Sequence, residues 1–129
     1  MTKWMTMAAG LVLAAGTAFA DPVEGVWKTQ AGDDGNYAHV TISTCGAKIC
    51  GVLGKGFNAS GAEIASENIG RKMIWDMSAD GGGKYSGGKI WAPDRDKTYK
   101  SKMTLSGNAL EVKGCVLGIC RGQVWTRVN

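Results

Sequence analysis

The sequence predicts an all-β fold: a small up-and-down antiparallel β-barrel of about eight strands. Three observations predict it. Glycine is abundant and proline scarce, 20 and 2 in a chain of 129 residues. Apolar and polar side chains alternate in short runs, with little of the 3.6-residue period of a helix. Turn-forming residues punctuate those runs at close intervals. A single sheet of such strands, apolar on one face only, does best by curling into a closed barrel that has no free edge.

The chain opens with "MTKWMTMAAGLVLAAGTAFA", residues 1–20. Lys3 is followed by an alanine-rich apolar stretch and by Ala18-Phe19-Ala20, a small-x-small site. That is the layout of a cleaved secretory signal, and the apolar run is short for a membrane span. Cleavage between Ala20 and Asp21 is expected, leaving residues 21–129 as one domain in the periplasm or outside the cell. No cysteine follows the cleavage site to carry a lipid anchor. The net charge is +4 and the basic residues are interspersed with acids, so nucleic acid is not an expected partner.

Eight candidate strands follow in order. Residues 24–30 end at the turn "AGDDGN", and residues 37–45 run into the first cysteine loop. Residues 49–56 leave that loop. Residues 72–78 are closed by "ADGGG", and residues 84–91 by "APDRD". Residues 97–105 turn at Ser106-Gly107 into 108–115, and the second cysteine loop delivers 119–127. Alternation is clearest late in the chain. Tyr99, Ser101, Met103 and Leu105 share one face, and Leu110 and Val112 stand against Glu111 and Lys113. Residues 57–71 are the longest irregular stretch, expected to form a short helix or a lid and to carry function.

All four cysteines fall in two C-x4-C loops, Cys45 to Cys50 and Cys115 to Cys120. In an oxidising compartment two disulfides are the simplest reading. Structural zinc sites favour tighter spacings, and a thioredoxin-like pair would need C-x-x-C beside a βαβ unit. Loop entropy favours a long-range link, whereas hairpin geometry favours the local one. Facing residues of a hairpin lie within the Cα separation that a disulfide requires. Cys45–Cys50 and Cys115–Cys120 are therefore expected, each fixing the register of one hairpin.

Little points to catalysis, and the chain is not expected to be an enzyme. His39 is the single histidine, bridged cysteines offer no thiolate, and neither a G-x-S-x-G elbow nor a phosphate loop is present. "DMSADG", Asp76 to Gly81, echoes the start of a calcium loop, but its twelfth position is Gly87 where glutamate is needed. A glycine-rich hairpin explains it better. No metal or cofactor is expected.

Gly25-x-Trp27 on the first strand and Trp125-Thr126-Arg127 on the last become neighbours when the barrel closes. The arginine can then cover the tryptophan ring and seal one end. This pairing resembles the calycin pattern of lipocalins and avidins. Gly88, Ile90, Pro93, Lys97 and Tyr99, with the terminal Gly122, Trp125, Thr126 and Arg127, resemble the bacterial exported family called domain of unknown function 2147. That resemblance implies a lipocalin-like barrel and no defined reaction. Residues 57–72 depart from it, lacking the Asp-x-x-Asn-Pro segment and extra cysteine of many members.

Trp75, Tyr85, Trp91 and Tyr99 lie on the fourth to sixth candidate strands. They either fill the core or line an open cup. In the second case they would bind a small apolar or amphipathic ligand, with Lys89, Arg71 or Arg95 meeting its anionic end. A protein-interaction role, as an envelope-stress factor or an inhibitor of a secreted enzyme acting through loops such as 57–71, is the alternative. The protein partner in that case is unknown.

Overall fold

The computed structural model describes residues 20–129, so the expected signal segment falls almost entirely outside the described residues. The strands are β1 (Gly25–Lys28), β2 (Tyr37–Cys45), β3 (Lys48–Phe57), β4 (Glu63–Ile64) and β5 (Lys72–Gly81). They continue with β6 (Lys84–Ala92), β7 (Lys97–Ser106), β8 (Ala109–Val116) and β9 (Ile119–Arg127). Every pairing is antiparallel. The sheet order is β2-β1-β9-β8-β7-β6-β5-β3-β4, and an additional β2–β3 pairing closes it into a barrel. Eight strands form the staves. β4 is a two-residue addition that pairs with the end of β3.

The segment 57–71 holds no helix, contrary to the sequence expectation. It is also no free lid. Asn58 Oδ1 accepts hydrogen bonds from the backbone amides of Ser60 and Ala62, closing a tight turn. Gly70 N donates to Leu53 O at 2.7 Å, and Leu53 N donates to Arg71 O at 3.0 Å. Small and polar residues such as Ser60-Gly61-Ala62 offer local turn bonds in place of helix propagation.

One end of the barrel is filled. Trp27, Trp125, Ile42, Ile74, Met77, Met103 and Leu110 are fully buried there, together with Val23. The Arg127 guanidinium lies 4.4 Å from the centre of the Trp27 ring and donates to the carbonyls of Glu24 and Pro22. Trp27 Nε1 donates to Val23 O at 2.9 Å, so the residues before β1 fold across the opening. Val26 N donates to Asn129 O, which brings the C-terminus over the same end. A side chain at Gly25 would stand 2.5 Å from that Asn129 oxygen, which explains the glycine of the Gly-x-Trp pair.

Both C-x4-C loops are bridged, Cys45 to Cys50 and Cys115 to Cys120. The two differ in register. Cys115 faces Cys120 directly across β8–β9, whereas Cys45 faces Lys48 and Cys50 faces Ser43. The first bridge therefore runs diagonally, with Cα atoms 5.9 Å apart against 4.0 Å for the second. Because the staves alternate in direction, the two stapled hairpins lie at opposite ends of the barrel. The calcium-like segment Asp76–Gly81 is the second half of β5, and Asp80 Oδ2 accepts from Ser86 Oγ across the hairpin.

Candidate functional site at the open mouth

The end opposite the Trp27–Arg127 seal is open. A cavity of about 530 Å³ lies there, among the β1–β2 loop, the 57–71 segment and the β6–β7 turn. The alternation of β2 and β3 sends Ala38 and Leu53 inward. Met73 joins them because the β3–β5 register slips, setting Val52 opposite Lys72 and leaving Met73 beside Ile74 on the buried side. Leu53, Met73 and Ile64 supply large apolar side chains to the lining. Ile64 is carried into place by the short β4 pairing with Gly56.

The polar lining is acidic. Asp33 and Asp34 come from the β1–β2 turn and Asp94 from the β6–β7 turn, and the lining includes no lysine or arginine. Asn36, Asn68, Ser66 and Gln123 supply neutral hydrogen-bonding groups. Gln123 Oε1 accepts from Trp125 Nε1 at 2.6 Å, so this residue joins the cavity to the core beneath it. Thr29 is buried at the base of the β1–β2 loop and accepts from Ala38 N through its hydroxyl.

The aromatic residues singled out in the sequence do not line this cavity. Trp91 is buried: the Arg71 guanidinium sits 3.5 Å above its ring, and Nε1 donates to Asp96 Oδ1 at 2.8 Å. It fastens the end of the 57–71 segment to the β6–β7 turn. Tyr99 is half-buried opposite Ile90, and the neighbouring Gly114 leaves room for its ring. Trp75 is half-buried opposite Lys89, an exposed residue that in turn faces Lys100. Arg95 is exposed on its turn, 4.0 Å from Asp94.

Tyr85 belongs to the opposite end. Its hydroxyl donates to Asp21 Oδ1 beside the seal. Burial, then that hydrogen bond and the nearby carboxylate charge, push the phenol well above its ordinary range. The grouping of Tyr85 with the mouth aromatics is therefore corrected, because β6 begins at the sealed end and only its far end reaches the mouth.

His39 lies on the outer wall in a cluster with Tyr37 and Phe57, its ring 4.5 Å from that of Phe57. Burial, then Lys55 and Lys28, lower its pKa, with Glu63 opposing. No group of three or more His, Cys, Asp or Glu side chains suited to a metal occurs among the described residues. Nor is any helix among them long and apolar enough to cross a membrane.

The profile of a family described as an uncharacterized protein conserved in bacteria (DUF2147) matches residues 25–127, the whole barrel from β1 to the end of β9. The chain belongs to this family. For this DUF2147 barrel no curated protein gives a match. A solved structure described as protein HP1028 from the human pathogen Helicobacter pylori, belonging to the lipocalin family, is similar to it. That likeness has a TM-score of 0.65 at 18% identity and covers 83% of each chain. It shows the fold. The DUF2147 chain is thus a lipocalin-like barrel with one filled end and one open end.

The cavity lining escaped the sequence reading for a physical reason. Alternation marks Leu53 and Met73 as inward but does not say whether an inward residue packs or borders a void. Asp33 and Asp34 read as turn formers. The signal that could have found them is their place on the loop at the end of the barrel away from the Gly-x-Trp seal.

Proposed function

We propose that this barrel binds a small amphipathic molecule in its open mouth. The observation that carries the reading is the cavity of about 530 Å³ beyond the packed core. That volume is in the range of small-molecule sites. The apolar body of the guest rests on Leu53, Ile64 and Met73, and its head meets Asp33, Asp34 and Asp94. Carboxylates favour a cationic or hydrogen-bond-donating head, the reverse of the anionic end expected from Lys89 and Arg95. The lipocalin-family description of the similar structure is compatible with this role. Two disulfides support an oxidising compartment, in keeping with export to the periplasm or beyond. Catalysis has no part in the reading.

Uptake of the neutral dye Nile red, followed by its displacement with decylamine or decanoate, tests it. Saturable uptake is expected, with decylamine displacing the dye at several-fold lower concentration than decanoate. Ile64→Gln should weaken uptake while leaving the thermal midpoint near that of the wild type. Absence of saturable uptake removes the proposal, and preference for decanoate overturns the role given to the three carboxylates.

A further inference from the structure

The two stapled hairpins carry different tips. The β2–β3 tip is Gly46-Ala47, small and flanked by Lys48. The β8–β9 tip is Val116-Leu117-Gly118-Ile119, wholly apolar and placed at the mouth end. Val116 is 54%, Ile119 68% and Leu117 96% exposed. Among the described residues Leu117 is left almost wholly uncovered, and its backbone is held in the left-handed region at φ 53°, where leucine is disfavoured. Just behind these residues the Cys115–Cys120 bridge joins the two strands. The fold thus holds an apolar side chain out in water in a conformation that asparagine or glycine would adopt more readily.

The wall beside this tip is basic. Strand alternation sets Lys100 and Lys102 on the outer face of β7, and the ladder puts Lys89 and Cys115 on either side of Lys100. Lys113 lies opposite Lys102 and Lys84 opposite Thr104 on that same face. Glu111 is the acid on this wall, 3.7 Å from Lys113. Lys84, Lys89, Lys100 and Lys102 make no ion pair among the described residues. Asp33 and Asp34 stand on the β1–β2 loop, and the two acids of the β6–β7 turn at the mouth end of this wall, Asp94 and Asp96, are paired with Arg95 and Arg71, so the β6–β8 side keeps its cationic character.

We propose that the β8–β9 tip inserts into the interface of an anionic phospholipid membrane while the lysine wall of β6–β8 rests on its headgroups. An exposed apolar tip rimmed by lysines suits such an interface, because each part meets its complement: acyl chains below, phosphate charge above. A single apolar tip anchors weakly, and the lysines supply the second attraction that stable yet reversible docking needs. The contact is peripheral and involves no spanning segment.

Flotation of the purified protein with vesicles of phosphatidylglycerol and phosphatidylethanolamine, compared with vesicles of phosphatidylcholine, tests the proposal. The anionic vesicles should carry the protein upward, and added salt should release it. Leu117→Asn removes the apolar side chain yet suits the left-handed backbone, so the fold should be preserved. It should weaken binding about tenfold or more. Lys100→Gln with Lys102→Gln should lower binding roughly fivefold for each lysine removed and flatten the salt dependence. Equal flotation of L117N and wild type overturns the proposal, as does equal binding to both lipid mixtures. Wild-type protein that stays with neither vesicle also overturns it, and would assign the tip to a protein partner.

Discussion

Arg127 and Trp27 face each other across the β1–β9 seam, the guanidinium 4.4 Å from the indole centre. This contact joins the first strand to the last, where the barrel closes with a short ladder of two registered pairs. Side chains thus reinforce a seam that few backbone bonds hold. Trp27→Ala should cost about 3–5 kcal/mol, since the ring is fully buried in the packed end. Arg127→Ala should cost less, about 1–3 kcal/mol, through two lost bonds to the carbonyls of Glu24 and Pro22 and the lost stacking. Urea melts of the two variants give the comparison. Equal midpoints for Trp27→Ala and wild type would contradict the packed end.

Trp91 separates a structural role from a binding role. It is buried beneath Arg71 and hydrogen-bonded to Asp96, outside the cavity lining. Trp91→Ala should therefore lower stability by about 3 kcal/mol or more. Its effect on Nile red uptake should be indirect, through a loosened 57–71 segment. Arg71→Ala tests the same fastening more gently, because Arg71 is half-exposed and its ion pair with Asp96 spans 3.8 Å. A variant of Trp91 with native stability and abolished uptake would return this residue to the binding site.

The architecture was legible where alternation and turn chemistry agree. Leu110 and Val112 against Glu111 and Lys113 mark one wet and one dry face, and the β8 ladder keeps them so. The cysteine spacing pointed to both local bridges because four intervening residues suit a hairpin. The bulges were not legible. Gly87, at φ 79°, sits where the β6–β7 register shifts between Tyr85 and Gly88, the β5–β6 register shifts between Ala79 and Gly81, and no local pattern announces either. The cavity was equally hidden, since Leu53 and Met73 look like any other core residue in sequence. Tyr85 shows a further limit. Strand membership does not tell which end of the barrel a residue occupies until the direction of each stave is counted.

His39 gives the barrel a pH dependence with a definite sign. Burial against Phe57, with Lys55 and Lys28 nearby, lowers its pKa below the ordinary 6.5. The folded state thus disfavours the imidazolium relative to the unfolded chain. The resulting contribution to stability is complete above pH 6.5 and is lost as the pH falls through the lower folded value. Melting midpoints should decline as the pH falls below about 6.5, and His39→Gln should remove the part of that decline due to the imidazole. An NMR titration that placed the His39 pKa above 6.5 would reverse the sign.

The glycine pair in "YSGGKIW" offers the sharpest test of how β5 and β6 meet. β5 carries Asp76 at φ 57°, and Gly88 of β6 lies against the backbone on either side of it. A Cβ there would stand 2.6 Å from Trp75 O and 2.9 Å from Met77 N, both backbone atoms that no rotamer change can move. Gly87 has the opposite problem. Its φ of 79° strains any other residue, but nothing lies within 4 Å of the added carbon. Gly87→Ala should therefore cost about 1–2 kcal/mol, the usual penalty for a left-handed alanine. Gly88→Ala must instead push two paired strands apart, and should cost more than its neighbour, about 3 kcal/mol or above if overpacking is not relieved. Urea melts of the two single variants decide the order. A Gly88→Ala protein at least as stable as Gly87→Ala would mean that β5 and β6 can separate here without loss.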